Sequence, residues 1–168
     1  MVEDVATDTV RLAILRKIKA LYMASTSDPE PPTGKINYGI AFGLVKLGPL
    51  GAVDQRKMFS IGIVPGIEKK SDLFPLKTCI LPITIEFRAV HDMKSLEDSQ
   101  ELGEKVLGVV QQIFMDDDKL SGTVIQSQEE ANEVTLTTYA DRTIEGYVTF
   151  NVHYRHHAQS VYNPNPSA

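Results

Sequence analysis

The chain has 168 residues, of which 42% are hydrophobic and 23% charged, the balance of a soluble globular protein able to build a core without disulfides or structural metals. The net charge of −5 is unevenly spread, since residues 1–84 carry 11 basic and 8 acidic side chains and residues 85–168 carry 6 and 14, so no basic stripe is present to hold phosphate and tight nucleic-acid binding is disfavoured. No apolar run approaches the ~20 residues of a membrane-spanning helix, which argues against a membrane protein.

The acidic start, Met1 to Asp8, has no basic and apolar signal pattern, and a cytoplasmic site of assembly is expected. Asp8 is expected to cap a first helix from about Thr9 to Met23, in which Val10, Ile14, Ile18 and Leu21 form one stripe. The prolines between Ala24 and Gly34 end that helix and predict an exposed connection. From Lys35 to Leu47, Ile36, Tyr38, Ile40, Phe42 and Leu44 alternate with Asn37, Gly39, Ala41 and Gly43, predicting a strand with one apolar and one nearly bare face. A second strand, Arg56 to Val64, is expected to complete a long hairpin with it. The bare positions Asn37, Gly39, Ala41 and Gly43, with Ser60 and Gly62 of the second strand, are candidates for a face that accepts a neighbouring subunit. Pro65-Gly66 ends that strand, and Glu68 to Asp72 is expected to be a solvated turn.

The strongest local pattern follows. Leu81, Ile83, Ile85, Phe87 and Ala89 share one face of a strand from Cys79 to His91, opposite Thr84, Glu86 and Arg88, and Pro82 is expected near its start or on an open edge. Ser95, three residues before Asp98, predicts the cap of a helix from Leu96 to Phe114, about 28 Å long. Its stripe is Leu102, Val106, Val109, Val110, Ile113 and Phe114. Asp116 to Asp118 disfavours further helix at the negative end of the dipole and marks a turn. Short strands are predicted at Thr123 to Ser127 and Glu133 to Tyr139, and Asp141-Arg142 turns the chain into a strand from Thr143 to Arg155, giving a second antiparallel hairpin. Residues 1–157 form one expected domain and 158–168 a mobile tail. The order predicts an α+β fold, a mainly antiparallel sheet packed by two helices.

No catalytic constellation stands out. His153, His156 and His157 lack an accompanying cysteine and are expected to be a polar strand end rather than a metal site. Cys79, alone in an apolar strand, is expected to be a packed hydrophobe. There is neither a nucleophile elbow nor a glycine-rich phosphate loop, so no cofactor and no enzymatic activity are expected.

The N-terminal helix, the strand Arg56-x-Met-Phe-Ser-Ile-x-Ile-Val-Pro-Gly-x-Glu68, the strand and helix from Leu81 to Phe114, Lys119-Leu-Ser-Gly122 and the closing strand Gly146 to Arg155 together resemble the tail terminator proteins of long-tailed bacteriophages. The resemblance implies a virion protein of the tail or neck that forms a ring, expected to be a hexamer, at the head-proximal end of the tail tube. It would stop tube polymerisation and offer a face to the head–neck connector protein. DNA would pass through the lumen without specific binding, and Asp116, Asp117, Asp118, Glu129 and Glu130 are candidates for a wall that repels phosphate. A neck or head-completion protein of similar fold is the nearest alternative. An enzyme or small-molecule binder on a ferredoxin-like sheet is the alternative from another class, and a concave pocket with buried titratable groups would favour it.

Overall fold

The structure, a computed structural model, describes residues 9–51, 59–73, 75–91, 95–136, 143–157 and 160–164. Two helices, α1 (Val10–Met23) and α2 (Leu96–Met115), pack on a mainly antiparallel sheet, so the fold is α+β. Two 15-residue strands, β6 (Leu76–Val90) and β8 (Thr143–His157), pair antiparallel along their whole length and form the axis of that sheet. Each is flanked on its outer side by two shorter strands laid end to end. β6 takes β4 (Phe59–Pro65) and then β5 (Lys69–Leu73), while β8 takes β7 (Gln126–Leu136) and then β9 (Ser160–Pro164). β3 (Leu44–Leu47) lies outside β4, and β1 (Ser25–Thr26) pairs with β2 (Ile36–Asn37) as a separate parallel ladder.

Strict alternation decides which face is buried. Leu81, Ile83, Ile85, Phe87 and Ala89 of β6 and Ile144, Val148, Phe150, Val152 and Tyr154 of β8 all point into one core beneath the helices. Val106, Val110, Ile113 and Phe114 of α2 meet them, with Phe114 stacked on Phe150 at 4.0 Å between ring centres. Gly146 is required here, because a Cβ would lie 2.3 Å from Phe87 Cζ. Ser95 caps α2 as expected, its hydroxyl accepting from Asp98 N at 3.1 Å. Tyr22 of α1 donates to the carbonyl of Val110 at 2.9 Å and ties the helices together.

Several expectations are corrected. The cap of α1 is Thr9, which accepts from Leu12 N at 3.2 Å; Asp8, Arg56 to Met58 and the Asp141-Arg142 turn lie outside the described residues. The strand expected over Lys35–Leu47 is broken into β2 and β3, with Gly39 at φ 82° between them. β3 runs parallel to β4, so these two strands are not a hairpin. Residues 48–51 instead cross the outer face of the sheet, where Gly48 N bonds Ile63 O and Leu50 N bonds Glu86 Oε2. The segment expected as a solvated turn supplies β5, which pairs tightly with the start of β6. Pro82 is in mid-strand, opposite the interval between β4 and β5. Its carbonyl accepts from Gly66 N at 2.8 Å, and in an antiparallel strand its nitrogen faces the same interval, so no ladder bond is lost. The two short strands after α2 are one strand, β7, with a bulge between Glu129 and Ala131. Within the segment expected as a mobile tail, Ser160–Pro164 is β9.

Candidate functional site

With both helices on one side, the described residues that clothe the other side of the sheet are 48–51. Pro82, Thr84, Glu86 and Arg88 of β6 stand there opposite Asn151, Thr149, Tyr147 and Glu145 of β8. Thr84 and Thr149 share a hydrogen bond of 3.0 Å. The Arg88 guanidinium, buried at 9% exposure, donates to Glu145 Oε1 at 2.8 Å and to the carbonyl of Gly51 at 3.0 Å. Around this pair lies a cleft of 360 Å³ walled by Leu50, Tyr147 and Thr135. Its charged groups are already engaged, Glu86 by the Leu50 amide and Glu145 by Arg88. The cleft therefore fastens the 48–51 crossing to the sheet.

The six candidate interface residues separate into two groups. Asn37, Gly39, Ala41 and Gly43 are exposed, and Gly39 lines a groove against α2. Ser60 and Gly62 are buried, Gly62 beneath the 48–51 crossing, where a Cβ would lie 2.8 Å from Gly48 O, so they are closed to a neighbour. Sequence alternation placed them on the correct face but gave no sign that the chain returns over it.

The five acids also separate. Asp116, the C-cap of α2, accepts from Tyr38 Oη and Gln112 Nε2, each at 2.5 Å, which holds its carboxyl below the usual range. Tyr38 is pushed up to about 12 by burial and by this hydrogen bond and charge. Asp117 is turned inward on Ser121, accepting from both its amide and its hydroxyl. Asp118 and Glu129 come together on the rim of a small cleft of 190 Å³ floored by Phe114, Met115 and Phe150. Glu130 is exposed at the bulge of β7. They share one end of the molecule without forming one wall.

Two features escaped the sequence pattern. The first is the corner between β4 and β5. Glu68, whose side chain is 8% exposed, accepts a hydrogen bond from Tyr154 and an ion pair from Lys70 at 2.9 Å, and Arg11 of α1 donates to Gly66 O at 3.3 Å. Burial alone would raise the Glu68 carboxyl, but the bonds from Tyr154 and Lys70 and the charges of Lys70 and Arg11 outweigh it and its pKa is lowered. Burial, the bond to Glu68 and nearby charge push the Tyr154 phenol up. Between the clamped residues Gly66 and Glu68, Ile67 projects into solvent at 86% exposure. The second is the groove itself, 520 Å³ between Tyr38, Ile40, Phe59 and α2. Such a groove needs residues from three separate segments, and no single periodicity encodes it.

Cys79 faces the core, and burial raises its thiol. The three histidines do not converge: His156 points to the buried side of β8, while His153 is on the outer side. Among the described residues no three side chains of metal-ligating type are grouped, and no helix is long and apolar enough to cross a membrane. No protein-family model matches the chain, and no curated protein matches it.

Proposed function

We propose that the chain is a structural subunit of a bacteriophage tail, a terminator that assembles as a ring on the head-proximal end of the tail tube, stops its growth and receives the head–neck connector. The observation that carries this reading is the half-clothed sheet. Two fully paired 15-residue strands span about 50 Å at 3.3 Å per residue. Their outer face offers Thr84, Tyr147, Thr149 and Asn151, neutral and half-buried, beside the Arg88–Glu145 ion pair, Glu86 held by the Leu50 amide, and Arg155. A stiff, broad surface that mixes neutral residues with charges of both signs suits stacking on another protein more than holding phosphate. The sequence resemblance to tail terminators supplies the identity of the neighbours. The acids Asp118 and Glu130, exposed at one end of the subunit, add a repulsive surface for DNA within about 8 Å at physiological salt.

The test is assembly. Size-exclusion chromatography with light scattering should give a closed oligomer, and negatively stained particles should be rings that cap purified tail tubes. A protein that stays monomeric at high concentration and leaves tubes uncapped overturns the reading.

A second reading, a binder of small polar ligands, is favoured only by the cleft at Arg88. Replacing Arg88 by Lys would free Glu145, and a ligand that protects the wild type but not this variant against heat would support it.

A further inference from the structure

We propose that the subunits join head to tail through a knob and a groove, the Ile67 corner of one copy seating in the groove that Tyr38, Ile40, Phe59, Leu102, Gly108 and Val109 form on the next. This rests on the ring reading for closure of the assembly, and it assigns the joint to surfaces that do not overlap the outer sheet face.

The knob is prepared for contact. Ile67 is the most exposed of the large hydrophobic side chains among the described residues, yet its neighbours on both sides are fixed. Gly66 bonds Pro82 O through its amide and receives Arg11 on its carbonyl, while Glu68 is held by Tyr154 and Lys70. An apolar side chain on a backbone already ordered loses little freedom when it docks, so nearly all of its burial would favour association.

The groove has the complementary character. Its walls are mostly apolar, and the absence of a side chain at Gly108 leaves it open, since a Cβ there meets nothing within 4 Å. Charge agrees with shape. Exposed Lys69 follows the knob, with Arg11 beside it, while Glu68 and Lys70 are paired with each other. On the exposed face of α2 around the groove, Asp98, Glu101 and Asp116 outnumber Lys105, placed three or four residues from the groove positions Leu102, Lys105 and Gln112. A basic knob thus meets an acidic rim, and like surfaces repel.

Placement makes the contact heterologous. Phe59 in the groove begins β4 and Ile67 lies just beyond its end at Pro65, so knob and groove are separated by about 20 Å of extended strand. With knob and groove at different places on one copy, the contact joins unlike surfaces, and a chain of such contacts closes as a ring or continues as a filament; a wild type that stops at a dimer, each knob in the other's groove, would overturn the head-to-tail arrangement.

Two variants at open positions test the joint. Ile67→Asp removes the knob and Gly108→Trp fills the groove, and circular dichroism should find both folded. Each alone should associate about 30-fold or more weakly than the wild type, the loss expected for a central hot spot. Mixed, they should form a 1:1 dimer and nothing larger, because only the knob of Gly108→Trp and the groove of Ile67→Asp remain. Light scattering distinguishes these species. A wild type that forms rings while either variant also forms them would overturn the knob-and-groove joint and leave the ring reading standing. Two monomeric variants that do not pair on mixing would overturn the joint as well. A wild type that is monomeric, alone and with tail tubes, would overturn the ring reading and the joint with it.

Discussion

β6 and β8 face one another across fifteen paired positions, whereas β3 is joined to β4 by four. The first region, with α2 laid along it, is held by many equivalent contacts, and a single lost bond is diluted among its neighbours. The region from Ala24 to Gly51 is held at separate points: Tyr38 Oη on Asp116, Gly43 N on Phe59 O, Gly48 N on Ile63 O and Leu50 N on Glu86. Distributed packing tolerates small polar changes and fails only when its interior is charged or overfilled. Point attachment fails wherever one of its few points is blocked, and it can shift against the sheet at a smaller cost.

The largest effect should therefore come from a charge in the distributed region. Val106→Asp puts a carboxylate at a position with 0% exposure, with no partner, and should cost about 4 kcal/mol or more. Gln111→Ala, further along the same helix and off its buried stripe, removes a bond to Glu129 and should cost under about 1 kcal/mol. Urea unfolding of the two variants should separate them widely, and equal midpoints would break the assignment of α2 to the core.

Next comes a block at a point attachment. Gly62→Ala pushes a methyl group against Gly48 O and the Leu50 amide, so the 48–51 crossing must lift. A cost of about 2 kcal/mol is expected, together with faster amide exchange at Leu50, whose bond to Glu86 depends on that crossing. Unchanged exchange would mean that the crossing adapts without moving. A smaller loss, about 1 kcal/mol, is expected for Tyr22→Phe, which deletes the bond from α1 to Val110 O while keeping the ring packed on Phe42.

The same contrast explains what the sequence made legible. In β6, β8 and α2 each apolar side chain is buried by the element's own periodicity, so Ile83, Ile85, Val106 and Phe114 declared their face without knowledge of their partners. The stretch from Ile36 to Leu47 also alternates, but Gly39 takes a positive φ and breaks the extended run. The parallel alignment of β3 with β4 depends on a connection whose sequence fixes no direction. β5 was hidden because Glu68, Lys69 and Lys70 look solvated until Tyr154 and the start of β6 are placed beside them. Of the candidate site residues, Gly39 reached a groove, Ser60 and Gly62 were covered, and Ile67 gave no signal because one exposed isoleucine is ordinary until its neighbours prove to be fixed.

The smallest effect expected is a pH dependence, and it arises at the corner between β4 and β5. Glu68 receives Tyr154 from β8 and Lys70 from β5, and it lies in the field of Arg11 from α1. Its folded pKa is below the ordinary value of 4.5, so the folded state binds the proton less readily than the unfolded chain. The contribution of this carboxylate to stability is then complete above the unfolded value and is lost as the pH falls through the folded one. Glu68→Gln should accordingly melt below the wild type at pH 7, where the charged network is intact. The gap should narrow as both are acidified below the ordinary carboxyl value and through the lower folded one. A gap that stays constant across that range would show that the shape of the Glu68 side chain, rather than its charge, holds the corner. The corner would then remain a fixed point between α1, β5 and β8, but one attached by packing and neutral hydrogen bonds.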